Sequence, residues 1–139
     1  MSNHITRDKI TKGKSHHVTR ESRDGTKPTR YYSTKQEKEV ANALNGSRTS
    51  NSGATDFGGK SDVSIESLFN IECKTKTTHC DSISIKKNWI EKNKQESMFD
   101  GRPYSAIAFN FGPDEENYYI IDEMLFQTLL NYLKEENNQ

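Results

Sequence analysis

Asp62, Glu72 and Lys74 fall in two short segments of alternating character, DVSI at 62–65 and FNIECK at 69–74. Apolar residues at every second place predict β-strands with one buried face. Glu66, Ser67 and Leu68 between them predict the turn of a hairpin. Side chains alternate along a strand, so Val63, Ile65, Phe69, Ile71 and Cys73 share an apolar face. Asp62, Glu72 and Lys74 share the other. With the turn centred on Ser67 or Leu68, Asp62 lies across from Glu72 or Lys74, and in either register the three groups are within about 4.5–8 Å. Two carboxylates that close repel each other unless a cation lies between them. A hard divalent ion such as Mg²⁺ takes one or two carboxylates and keeps several waters. It lowers the pKa of bound water and neutralises charge on a phosphate in transfer. Lys74 would then orient the attacking water or stabilise charge developing on the phosphate. The plain alternative is a solvated hairpin with cross-strand ion pairs.

Other elements must carry this hairpin. Residues 34–45, TKQEKEVANALN, predict a helix with Val40, Ala43 and Leu44 on its apolar face. Thr34 and Glu37 have capping-box spacing, and Gly46 stops the helix. Glu37 lies near the buried face, whereas Glu39 is turned by about 200° from it at about 100° per residue. Glu37 is therefore the first-helix carboxylate expected to face the site; its alternative role is to complete the capping box. Residues 46–61 are rich in Gly, Ser, Thr and Asn and read as a loop with a short strand near Arg48. A second helix is expected over 84–99, with Ile85, Trp89, Lys92 or Asn93, and Glu96 along one face. Ser82 or Ser84 would cap it and Gly101 would end it. YSAIAFNF at 104–111 and YYIID at 118–122 predict strands separated by the turn GPDEEN. Asp122 then caps a last helix with Met124, Leu125, Leu129, Leu130 and Leu133 at helical spacing. This order of helix, hairpin, helix, two strands and helix predicts an α/β fold with a mixed sheet between helices.

Gly59-Lys60-Ser61-Asp62-Val63 followed by Ile71-Glu72-Cys73-Lys74-Thr75 resembles the D…ExK signature of the PD-(D/E)XK nuclease superfamily. It looks most like Holliday-junction resolvase-like and phage endonuclease I-like members. Glu37-Lys38-Glu39-Val40 is similar to their first-helix motif, and Arg48 to Ala54, with Ser52-Gly53, to their glycine-rich segment. Trp89 on a helix and Gly101-Arg102-Pro103 before an apolar strand also recur there. The resemblance covers about residues 33–111; Ser61 stands where many members have proline. It implies a restriction-endonuclease-like fold over residues 33–139 and Mg²⁺- or Mn²⁺-dependent cleavage of DNA, on four-way junctions above all. Asp62, Glu72 and Glu37, with the backbone carbonyl of Cys73, would hold the metal, and Lys74 would act on the water or the scissile phosphate. Arg48, Ser52, Lys60 and Lys76 would contact DNA, since most protein–DNA hydrogen bonds go to the backbone. It also implies a homodimer, for which the Leu-rich last helix offers an interface, and a phage or mobile-element source. The rival readings are a restriction-type or nicking enzyme on duplex DNA, a DNA-binding module without catalysis, and an RNA-directed role for the basic arm.

Composition agrees with a small domain. The chain has 139 residues, 30% of them apolar, and a mean hydropathy of -1.01. Residues 1–38 carry ten Lys or Arg against four acids, whereas residues 113–139 carry seven acids against Lys134. Residues 1–32 lack apolar periodicity and read as a flexible basic arm for a polyanionic partner. No apolar run approaches the roughly 18–20 residues of a membrane span. The segment MSNHITRDKITKGK lacks a signal-peptide core. Cys73 and Cys80 match no zinc or redox spacing, and His79 beside Cys80 reads as a loop. A reducing, cytoplasmic location is the expectation. Trp89 and Tyr104 read as core residues, with base stacking as the alternative, and Gln95 reads as solvated, with a place facing the site as the alternative.

Overall fold

The computed structural model describes residues 27–49 and 61–138. Within these described residues, three helices and a five-stranded mixed sheet follow in the order α1 (Thr29–Leu44), β1 (Ser47–Arg48), β2 (Val63–Ile65), β3 (Phe69–Lys74), α2 (Lys87–Phe99), β4 (Tyr104–Phe109), β5 (Tyr118–Ile120) and α3 (Glu123–Asn137). The sheet order is β1-β2-β3-β4-β5. Neighbours are antiparallel except β3 and β4, which run parallel. A parallel pair needs a long crossover, and α2 supplies it. Among the described residues no helix is long and apolar enough to cross a membrane.

Helix α1 begins five residues earlier than its sequence suggested. Pro28 is its N-cap, without a side-chain hydrogen bond, so the expected Thr34–Glu37 capping box does not form. Tyr32, Gln36 and Val40, spaced four apart, are all buried. Burying Tyr32 extends the face by one turn, and that overrides the local capping signal. Thr29 to Tyr32 thus belong to the helix and not to the basic arm. Residues 1–26 of that arm lie outside the described residues. At the other end Asn45 adopts the left-handed conformation, with φ 53°. Gly46 then passes so close to β2 that a Cβ would stand 2.9 Å from the Ser64 carbonyl oxygen and 3.0 Å from Val63.

The hairpin forms with β3 at its expected bounds and β2 one residue shorter, starting at Val63; Val63 is opposite Ile71 and Ile65 opposite Phe69. Its apolar face packs on α1. Val40, Ala41, Val63, Ile71, Cys73, Ala106 and Ala108 make one buried cluster. Helix α2 covers the other face, and it docks by hydrogen bonds as much as by apolar contact. Asn93 Nδ2 donates to the carbonyls of Ala106 (3.0 Å) and Asn70 (3.3 Å). Its Oδ1 accepts from Ser61 Oγ at 2.8 Å. Ser97 Oγ is 2.7 Å from the carbonyls of both Arg102 and Tyr104. The helix starts at Lys87 with Lys86 as N-cap and no side-chain cap, so neither Ser82 nor Ser84 plays that part. Gly101, at φ +74°, ends it as expected.

Strand β4 stops at Phe109, two residues short of expectation. Asn110 is buried, and its carboxamide oxygen accepts from the Gly112 amide, which turns the chain. Asp122 caps α3, accepting from the Leu125 amide at 2.8 Å. Of the apolar side chains on α3 only Leu125 is buried.

Candidate active site

Continuing the hairpin register one step beyond Val63–Ile71 sets Asp62 opposite Glu72. This is the first of the two registers the sequence left open. Asp62 Oδ2 accepts the Cys73 amide hydrogen at 2.8 Å, and the Asp62 carbonyl accepts from the Thr49 amide at 3.0 Å. These two bonds tie Asp62 to β3 on one side and to Thr49, just beyond β1, on the other. Lys74 Nζ, two residues along the same face, is 3.1 Å from Glu72 Oε2. Glu37 reaches the same locality from α1. Its Oε1 accepts from Arg48 Nη2 at 3.2 Å, and its charge acts on both Asp62 and Cys73.

Electrostatics follow from this crowding. Burial pushes the Asp62 carboxyl up to about 7, and the charges of Glu72 and Glu37 push the same way; the Cys73 amide and Lys74 oppose them. Burial foremost, then the charge of Asp62, raises the Cys73 thiol. A thiol so raised stays protonated and is a poor nucleophile. Cys73 faces the apolar cluster, so its backbone alone meets the site.

Each carboxylate already has a partner: Glu37 has Arg48, Glu72 has Lys74, and Asp62 has the Cys73 amide. Among the described residues no three His, Cys, Asp or Glu side chains converge as a ready ligand group. The donor chemistry of Asp62 and Glu72 still fits a hard cation. Their mutual charge penalty is what such an ion removes, and Mg²⁺ needs no more than one or two carboxylates.

No family model, curated protein or solved structure matches the chain.

The remaining site residues divide by position. Arg48 and Lys76 are exposed near the hairpin. Ser52, Lys60 and the glycines at 53, 58 and 59 lie outside the described residues. Gln95 is exposed, as a solvated residue should be. His79 pairs with Glu115, and the Cys80 amide donates to the Phe111 carbonyl at 2.8 Å; both belong to the loops beyond β3 and β4.

Two residues near the site had no functional reading in the sequence, and a third, Trp89, was read as core. Gln36 is 2% exposed and donates to the Lys74 carbonyl at 2.9 Å, which ties α1 to the end of β3. Glu96 on α2 is largely buried, with Ser61 Oγ 3.5 Å from its Oε1. Burial raises its carboxyl; Lys92 works against that, and the charge of Glu72 adds to it. Trp89, expected in the core, is half-buried, and Lys74 Nζ lies 4.5 Å from its ring centroid. Only the helical face of Glu96 and Trp89 hinted at such placement, since both share it with Asn93.

Proposed function

We propose that this chain is a metal-dependent endonuclease of restriction-endonuclease-like fold that hydrolyses phosphodiester bonds in DNA. The observation that carries the reading is Asp62 opposite Glu72, with Lys74 on the same face. A hydrogen-bonded pair of strands carrying two carboxylates and an ammonium close together suits phosphodiester hydrolysis. The helix–hairpin–helix–strand order around a mixed sheet supports the same fold assignment.

Asp62 and Glu72 would hold Mg²⁺ or Mn²⁺, with the Cys73 carbonyl and waters beside them; Glu37, paired with Arg48, would join only on releasing it. Bound there, the ion supplies charge neutralisation and a more acidic water. The protein's own groups do the rest. Burial of Asp62 and the Cys73 amide fix the direction of its carboxylate. Glu72 projects from the central strand of the sheet and is paired with Lys74. Lys74 directs its ammonium to the attacking water or to the non-bridging oxygens, where charge grows in the transition state. Arg48 and Lys76, both exposed, are proposed to meet flanking phosphates, as are Ser52 and Lys60.

Branched DNA is the proposed substrate and a homodimer the proposed working form, since two-fold symmetry offers two sites to two strands. Helix α3 supports the dimer. Met124, Phe126, Leu129, Leu130, Tyr132 and Leu133 are 39–75% exposed. Of these, Phe126, Leu129, Leu130 and Leu133 share one side of the helix, the apolar face that a second copy would cover.

Incubation with labelled four-way junction and matched linear duplex tests the reading, with Mg²⁺ and with chelator. Metal-dependent cutting of the junction in preference to duplex is expected. Equal cutting of duplex would move the assignment to a restriction-type or nicking enzyme. Binding with no cutting under any divalent metal would leave a DNA-binding module in its place.

A further inference from the structure

Lys74 has two anchors of different kinds. Its Nζ is 3.1 Å from Glu72 Oε2 and 4.5 Å from the centroid of the Trp89 ring. Trp89 sits in the first turn of α2, the helix that crosses between β3 and β4. Lys86 Nζ, at the start of that turn, is 5.7 Å from the same ring. Indole is the strongest cation–π acceptor among side chains, and this chain has one tryptophan.

The two anchors respond differently to the proposed metal. Glu72 is an oxygen donor that a divalent cation would claim, and a carboxylate shared with such an ion holds an ammonium less strongly. The indole face has no proton to lose and no affinity for a hard cation, so its hold on Lys74 persists. A lysine stem is long and costly to order, and small misplacements of a reacting group are expensive. With Glu72 shared in this way, a second hold on the ammonium would preserve its position.

We propose that Trp89 is a positioning residue: its indole face keeps the Lys74 ammonium over the Asp62–Glu72 face while Glu72 is engaged by the cation. This rests on the nuclease reading above, but the contact can be tested apart from cutting. Reductive ¹³C-methylation of the full chain preserves lysine charge and gives each lysine an NMR signal. The Lys74 signal, assigned by its loss in Lys74→Arg, is expected to be shifted upfield by the ring current. The shift should survive excess Mg²⁺, vanish in Trp89→Leu and persist in Trp89→Phe. At saturating DNA, Trp89→Leu should slow cutting about tenfold, with DNA affinity unchanged and Trp89→Phe close to wild type. An unshifted Lys74 signal, or a shift abolished by Mg²⁺, overturns the proposal. So does a Trp89→Leu chain that cuts at the wild-type rate, or equal losses in the Leu and Phe variants with a matching fall in melting temperature. Absence of cutting by the wild-type chain would refute the nuclease reading; the shift and its response to Mg²⁺ would still decide whether Trp89 holds Lys74.

Discussion

Asp62 faces Glu72 across the hairpin and also accepts the amide hydrogen of Cys73, the residue next to Glu72, at 2.8 Å. One carboxylate is thus held to the strand that carries the other. The backbone bond fixes the geometry, and burial together with the neighbouring charge makes that geometry costly for the ionised form. A site that stores electrostatic cost in this way favours whatever cation relieves it.

That cost gives a pH dependence of stability. The Asp62 carboxyl is raised from 3.8 to about 7 in the folded chain. Between these values the folded state binds more protons than the unfolded state, so stability falls as pH rises through the window. The stabilisation is complete below 3.8 and gone above about 7. Partial exposure of Asp62 reduces the effect to on the order of 1–3 kcal/mol. Urea unfolding at pH 5 and pH 8 should show a smaller loss in Asp62→Asn than in the wild-type chain. At pH 8, Mg²⁺ should raise the wild-type midpoint and leave that of the variant unchanged. Identical pH profiles for the two chains would contradict the assignment.

Lys74→Ala should separate rate from binding. A group that acts on charge appearing in the transition state affects turnover more than ground-state affinity. Cleavage of bound DNA should fall on the order of 10²–10³-fold, with affinity nearly kept. Single-turnover rates and filter binding measure the two quantities. Collapse of affinity with an unchanged rate on bound DNA would make Lys74 a phosphate anchor only.

Helix α3 gives a prediction about assembly. Leu129→Lys combined with Leu133→Lys puts charge on its exposed apolar face and leaves buried Leu125 untouched. Light scattering should report a dimer for the wild-type chain and a monomer for the variant, with circular dichroism of the body preserved. A wild-type monomer at micromolar concentration would remove the dimer from the account.

Much of this arrangement was legible because period-two patterning is a local signal. Val63, Ile65, Ile71 and Cys73 announce a strand face, and Asp62, Glu72 and Lys74 fall opposite by geometry alone. The start of α1 was not legible. Thr34 and Glu37 imitate a capping box, whereas the burial of Tyr32, one turn earlier, depends on tertiary contact. The docking face of α2 was obscured for a related reason. Asn93 and Ser97 bind it to backbone carbonyls and to Ser61, and a polar docking surface leaves no apolar period to read. The Trp89–Lys74 contact had no local signature either, because it joins the start of a helix to the end of a strand.

The basic arm is expected to add electrostatic affinity and no chemistry. Because α1 includes Thr29–Leu44, a deletion should stop at residue 26 to keep Tyr32 in place. It removes Arg7, Lys9, Lys12, Lys14, Arg20 and Arg23. The slope of log affinity against log salt should flatten by about 0.9 for each phosphate that the arm no longer neutralises. Cutting at saturating DNA should stay near wild type. Loss of cutting together with a change from dimer to monomer would show instead that the arm builds the assembly.

Single-turnover cleavage of a labelled four-way junction in Mg²⁺ tests the central claim most directly, comparing the wild-type chain with Asp62→Asn and Glu72→Gln. The wild-type chain should cut, and chelator should stop it. Both variants should bind the junction, retain the fold by circular dichroism, and fail to cut. Cutting by either variant at the wild-type rate, or by the wild-type chain in excess chelator, would contradict the account.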